Sequence, residues 1–174
     1  MSNVQIIKLA NLPEHAWING AGATRELWRA VDGDSGSILL RISVATLTGP
    51  AGFSKLPGLS RTFMPLDDMA VVLSIDGQQR HLGQYEPVQF SGDADTNLVA
   101  LDRPGLALNL MSDRRSASHA IALHCSGCFN CQAVIALEDW NSTFQLQAGD
   151  LILPSGTPVM LGGKAAVIEI TYYG

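Results

Sequence analysis

Charge is scarce in this chain of 174 residues: Asp, Glu, Lys and Arg together make up 16% of it. Only three lysines occur, and apart from Arg114–Arg115 no two lysines or arginines adjoin. Binding a nucleic-acid backbone requires a basic stripe, and a chain with a formal net charge of -5 offers none, so no nucleic-acid partner is expected. No apolar run approaches the ~20 residues that cross a bilayer, so no membrane partner is expected. The opening "MSNVQIIKLANLPEH" lacks the apolar centre of a secretion signal, and a cytoplasmic location is expected. Three cysteines, all between Cys125 and Cys131, pose no pairing problem in such a reducing compartment. A sustained period of 3.6 is missing too, which excludes a helical bundle.

What the chain does have is apolar content and punctuation. Hydrophobic residues form 47% of it, and seventeen glycines and eight prolines divide it into short pieces. Most pieces read as strands. They are "ELWRAV" (Glu26 to Val31), "ILLRISVATL" (Ile38 to Leu47), "RTFMPL", "MAVVLSI", "RHL", "EPVQF", "TNLVAL" and "LALNLM". After the polar "SDRRSAS" come "HAIALHC", "QAVIAL", "STFQLQ", "DLILP", "TPVML" and "AAVIEITYY". "DGQQ" marks a hairpin turn. "LPEHAWIN" and "DRRSAS" are the two places where a short helical turn is expected. The pattern predicts an all-β, antiparallel sandwich or barrel with a join near residue 115.

The stretch "HCSGCFNC" raises the question of a metal. C-x2-C is half of a zinc site, yet no cysteine or histidine follows Cys131 to supply the other half. An iron–sulfur run would need a cysteine where Ile135 stands. If the stretch did hold a metal, His124, Cys125, Cys128 and Cys131 would be the ligands. The pattern fits better a turn flanked by cysteines acting as small apolar residues, with thiol redox chemistry as a further alternative. "LQAGDLILPSGTPV" has the turn chemistry of a cupin's second motif, but Val159 stands where that motif carries a histidine, and no H-x-H pair lies upstream. No metal or other cofactor is expected.

The arginines carry more information. In "ILLRISVAT", Leu39, Arg41, Ser43 and Ala45 share one face of a strand, while Ile38, Leu40, Ile42 and Val44 share the other. Arg61 and Phe63 repeat the mixed face, and Asn109 and Met111 do so again. A guanidinium inside a barrel needs an acceptor, either an internal acid such as Glu26 or Asp68, or a bound anion. A carboxylate fits its planar fork. The loop "GFSKLPGLSR" is expected to cover the pocket, with Phe53 as a wall and Ser54 as a polar contact. Trp17, Trp28 and Trp140 are expected in the core or at its rim.

"NGAGATRELWR" (Asn19 to Arg29), "RISVATLTGPAGFSKLPGLSRTF" (Arg41 to Phe63) and "FSGD" with "ALNLMSDRR" (Phe90 to Arg115) resemble the HutD/Ves family. That resemblance implies a cupin-like antiparallel β-barrel with two barrel halves (a bicupin): residues 1–115 carrying the motifs and 116–174 forming a second β half, together one compact unit. It also implies a binder of a small anionic metabolite, such as N-formylglutamate or another product of histidine degradation, with a regulatory or stress-related role. The family-like positions are Thr24, Arg25, Glu26, Arg41, Ser43, Phe53, Ser54, Pro57, Gly58, Arg61, Asn109, Met111 and Arg114; all but Pro57 and Gly58 are taken as ligand-binding candidates. No catalytic residue is assigned. The alternatives are a cupin-type isomerase or metal-dependent oxygenase, for which His15 and His81 are the available bases, and a protein-interaction barrel without a ligand. A homodimer would suit the fold.

Overall fold

The computed structural model describes residues 4–142 and 144–173. In chain order the strands are β1 (Val4–Ile7), β2 (His15–Ala16), β3 (Gly22–Val31), β4 (Ile38–Leu47), β5 (Ala51–Gly52), β6 (Leu59–Pro65), β7 (Val71–Ile75), β8 (Gln78–Leu82), β9 (Val88–Ser91) and β10 (Thr96–Leu101). They continue with β11 (Gly105–Asp113), β12 (Ala117–His124), β13 (Cys128–Phe129), β14 (Ala133–Ala136), β15 (Trp140–Asn141), β16 (Gln145–Leu146), β17 (Leu151–Pro154), β18 (Val159–Met160) and β19 (Ala165–Tyr172). Among the described residues the only helix is a single 3-10 turn, Leu9–Asn11. The fold is all-β and cupin-related, built from antiparallel sheets. No helix among the described residues is long and apolar enough to cross a membrane.

The chain divides into two compact units, residues 13–117 and residues 4–12 with 118–172. In the first unit, a six-stranded sheet runs β2-β3-β4-β11-β6-β9 and a four-stranded sheet runs β5-β10-β7-β8. They share one core: Ala45, Leu47, Phe63, Phe90 and Ala107 from the larger sheet meet Val71, Leu73, Leu82 and Leu98 from the smaller. The hairpin expected at "DGQQ" is present. Ile75 lies opposite Gln78, and Asp76 and Gly77 both have positive φ (47° and 78°), the signature of a two-residue type I′ turn. β4 and β10 begin and end where the expected strands "ILLRISVATL" and "TNLVAL" do.

Both expected helical turns are replaced. In "LPEHAWIN", His15 and Ala16 pair as a strand with Thr24 and Ala23, because Asn19-Gly20 makes a hairpin tip. In "DRRSAS", the Ser116 N–H donates to the Asp113 carbonyl at 3.0 Å, and the Asp113 carboxylate accepts from the Arg115 N–H and the Ser116 hydroxyl. An aspartate bonding its own following backbone stabilises a tight turn over a helix start.

The second unit holds a five-stranded sheet, β1-β17-β14-β19-β12, and two short ribbons, β13-β18 and β15-β16. Its core gathers Val134, Trp140, Leu146, Ile152, Val159 and Val167. The expected strand "STFQLQ" shrinks to Gln145–Leu146; Thr143 lies outside the described residues. The cysteine stretch is not a plain turn, since Cys128 and Phe129 pair with Met160 and Val159. Cys131 packs against the core as expected, whereas Cys125 and Cys128 are exposed, so their reading as packed apolar residues is corrected. Their backbone follows a loop and a two-residue ribbon, which bury little side chain.

β1 was not foreseen, and it belongs with residues 118–172: Val4 to Ile7 pair with Pro154 to Leu151. The "GD" turn explains why. Gly149 adopts φ +90°, and a Cβ there would press into Leu9 at 2.6 Å. The Asp150 carboxylate, only 2% exposed, accepts from the Leu9 N–H at 2.9 Å, the Gln147 N–H at 2.8 Å and Lys8 Nζ at 2.9 Å. One buried acid thus ties the N-terminal segment to the turn before β17. Asp150→Ala leaves two backbone donors without an acceptor and is expected to lower stability by about 2–4 kcal/mol in urea denaturation.

His119 on β12 is buried, and burial lowers its pKa from 6.5 to about 4. Its proton is therefore taken up more readily by the unfolded chain. Its contribution to stability is whole above pH 6.5 and is lost as pH falls toward 4. His119→Gln should flatten that stretch of a stability-versus-pH curve by up to about 3 kcal/mol, measured as urea midpoints between pH 7 and pH 4.

Candidate functional site

β11 lies between β4 and β6, and the registers align three rows of side chains. Arg41 faces Met111, which faces Arg61; Ser43 faces Asn109, which faces Phe63; Ala45 faces Ala107, which faces Pro65. Alternation sends Arg41, Ser43, Ala45 and Leu47 to one side of β4 and the fully buried Leu40, Ile42 and Val44 to the other. The first side opens on a cavity of about 560 Å³ within residues 13–117. That volume lies in the range of small-molecule sites. One part of its wall is polar, from Arg41, Ser43, Arg61 and Asn109. The rest is apolar, chiefly Trp17, Leu47, Phe53, Leu56 and Phe63.

Arg61 is the least satisfied group in this wall. It is 7% exposed, and no acid among the described residues lies within ion-pair distance. One terminal nitrogen, Nη1, donates to the Ser54 carbonyl at 3.1 Å, while the buried Nε has no partner. Its guanidinium carbon lies 5.2 Å from the ring centres of both Phe53 and Phe90, so two π-faces stand in for a counter-ion. Burial, and secondarily the charge of Arg41, lower its pKa from the ordinary guanidinium range to about 10. It remains charged at neutral pH, and each of those causes is one that a bound anion would oppose.

Arg41 has a partner. Its Nε donates to Glu26 Oε2 at 2.8 Å, and Glu26 Oε1 lies 3.3 Å from Arg29 Nε. A β-bulge makes this trio possible. Glu26 faces Ser43 and Trp28 faces Ile42, with Leu27 the extra residue between them. On a regular strand Glu26 and Arg29, three apart, would point to opposite faces; the bulge brings Arg29 to the face that Glu26 already shares with Arg41.

The structure brings Thr24, Arg41, Ser43, Phe53, Ser54, Arg61, Asn109 and Met111 around the cavity. Three other candidates do not line it. Arg25 sits opposite Val44, on the reverse face of β3, and pairs with Glu14. A strand cannot aim Thr24, Arg25 and Glu26 the same way. Glu26 stands behind Arg41. Arg114 lies after β11 and binds Asp93 and the Ser91 hydroxyl, while its N–H donates to the Gly58 carbonyl at 3.0 Å. The bond from Arg114, and then that from Ser91, hold the Asp93 carboxyl below the usual carboxylate range. Arg114 and Asp93 thus brace the loop that continues from Phe53 and Ser54, and Pro57 and Gly58 belong to that brace.

Trp17, Ile18 and Asn19, at the β2–β3 hairpin tip, also line the cavity. Trp17 Nε1 donates to Thr24 Oγ1 at 2.9 Å, fixing the indole across the opening. The Asn-Gly dipeptide in "WINGAG" was the available signal for this hairpin. Trp140 is buried in the core of the other unit and Trp28 is half-buried. His15 and His81 are exposed and outside the lining. Among the described residues no three His, Cys, Asp or Glu side chains are grouped to hold a metal, so His124, Cys125, Cys128 and Cys131 do not form a ligand set.

The model of the HutD family matches residues 9–166. The chain belongs to the HutD family. It is 32% identical over 106 residues to the uncharacterized 21.2 kDa protein in the hutC 3′ region of Pseudomonas putida, covering 58% of this chain and 54% of that one. It is 31% identical over 113 residues to protein Ves of Cronobacter sakazakii, covering 64% of this chain and 61% of that one. The matches thus span little more than half the length of these curated relatives. The structure of HutD from Pseudomonas fluorescens SBW25 in a formate condition superposes with a TM-score of 0.85 at 24% identity, over 98% of this chain and 100% of that one. At that identity the likeness establishes the fold.

The charges in the wall predict two different responses. Arg61→Met removes a buried cation that has no acid partner, and is expected to leave stability unchanged or raise it by up to about 2 kcal/mol. Arg41→Met breaks a pair whose side chains are 25% and 30% exposed and whose acid keeps Arg29. A loss of about 1 kcal/mol is expected there, well short of the cost of breaking a fully buried pair. Urea denaturation of both variants checks the contrast.

Proposed function

We propose that this chain is a HutD-type binding protein whose cavity in residues 13–117 holds a small carboxylate metabolite. The observation that carries the reading is the row Arg41–Met111–Arg61. Two guanidinium ions stand two strand spacings apart on a cavity wall, and the buried one has no acid partner. A carboxylate entering beside them would supply the missing acceptor and turn mutual repulsion into shared attraction. On this reading Arg41 and Arg61 hold the anion, Ser43, Ser54, Thr24 and Asn109 offer neutral hydrogen bonds, and Phe53 and Met111 pack on the ligand.

Binding is favoured over catalysis because, among the described residues, arginines are the only ionisable ones in the lining. Of the hydroxyls there, Ser43 has a carboxylate opposite it, Glu26, and that acid is already engaged by Arg41 and Arg29. We further propose that each unit is one cupin-like half of a bicupin, with the strands of the 13–117 half closing as a barrel around the cavity. The family resemblance makes N-formylglutamate and other histidine-degradation acids the first candidates, and a sensing or moderating role the natural use of a binder without chemistry.

The test is calorimetry and thermal denaturation of the full chain with N-formylglutamate, glutamate and urocanate. Saturable heat is expected with at least one acid. At a free concentration a hundred times Kd, stability should rise by about 2.7 kcal/mol. Arg61→Met should abolish both signals while remaining folded. A folded sample that gives no saturable heat with any of these acids would overturn the proposal.

A further inference from the structure

The two arginines of the cavity wall are not electrically equivalent. Arg41 is paired through Nε with Glu26, which also contacts Arg29. Arg29 itself is 57% exposed, so water screens its charge from the interior. Arg61 is buried, has no acid partner, and reaches only a carbonyl and two aromatic faces. The lining therefore presents one uncompensated positive charge, at Arg61. Away from the arginines the wall is apolar (Trp17, Leu47, Leu56 and Phe63) or neutral (Asn19 and Thr24), so a second negative charge would lose hydration there and meet no cation. Near Arg41 such a charge would face Glu26.

Resting on the carboxylate reading above, we infer that this cavity selects anions bearing a single negative charge attached to an uncharged, largely apolar body, and that Glu26 sets that count. Glu26 is not itself a lining residue. It acts through Arg41, by neutralising a cation that would otherwise accept a second carboxylate, and is a specificity-setting positioning residue. Glu26 reaches Arg41 because it faces Ser43, two residues along the same face of β4. The inference departs from the dicarboxylate that family resemblance alone suggests.

The test compares glutarate with its monomethyl ester, two molecules of similar length that differ by one charge. Binding is measured by calorimetry at low salt and pH 7.5 on the full chain, as wild type, Glu26→Gln, Glu26→Asp and Arg61→Met. The wild type is expected to bind the monoester at least about tenfold more tightly than glutarate. Glu26→Gln should narrow or invert that ratio by about tenfold, Glu26→Asp should keep it, and Arg61→Met should bind neither. Equal or tighter binding of glutarate by the wild type overturns the single-charge inference while leaving carboxylate binding in place. A Glu26→Gln ratio that matches the wild type overturns the role of Glu26. Should Glu26→Gln fail to fold, the wild-type ratio and Glu26→Asp still decide the charge count. If neither binds the folded wild type while N-formylglutamate, glutamate or urocanate does, the single-charge inference falls and the carboxylate reading stands; if none of the five binds, both fall.

Discussion

The pairing of β11 between β4 and β6 is the constraint on which the site depends. It sets Met111 between Arg41 and Arg61, and Asn109 between Ser43 and Phe63. A slip of one residue would exchange every side chain for its neighbour, sending Leu40 and Ile42 into the cavity and Arg41 into the apolar face. Burying an unpaired guanidinium there would cost several kcal/mol, so the charges themselves help to lock the register. The rows that define the cavity and the rows that define the sheet are the same rows.

Holding Arg61 in place works against stability. Its charge is buried without an acid, and the protein offsets the loss of water with two phenylalanine faces and one carbonyl. Those partners leave Nε unused. An uncharged side chain at position 61 could fill the same space at lower cost, so a buried cation in this wall is a departure from what packing alone favours. Such departures concentrate at functional sites. The surrounding structure makes this one tolerable: Phe53 is held by its N–H bond to the Thr96 carbonyl, Leu56 by its bond to the Gly92 carbonyl, and the Arg114–Asp93 pair braces the loop beyond.

A similar economy appears in the second unit. Asp150 is a buried carboxylate with three donors, and it secures a strand that begins the chain to a turn near its end. The resemblance visible in the sequence stops near residue 115, yet the family match runs to residue 166 and the likeness to HutD from P. fluorescens covers nearly the whole chain. The later segments carry the fold through turn geometry and apolar alternation, which many sequences satisfy. The earlier ones carry it through specific polar side chains.

The sequence by itself determined the class of fold, most strands and the chemistry of one wall. Alternation in "ILLRISVATL" put Arg41 and Ser43 on one face, and the same rule paired Arg61 with Phe63 and Asn109 with Met111, because side-chain direction along a strand follows from a period of two. Tertiary structure alone decided which of these charges has a partner. The bulge at Leu27 breaks the period and brings Arg29 opposite Arg41, and no residue type announces a bulge. The place of β1 and the bracing role of Arg114 were equally hidden. Each depends on contact between segments distant in the chain, and local pattern carries information only about neighbours in sequence.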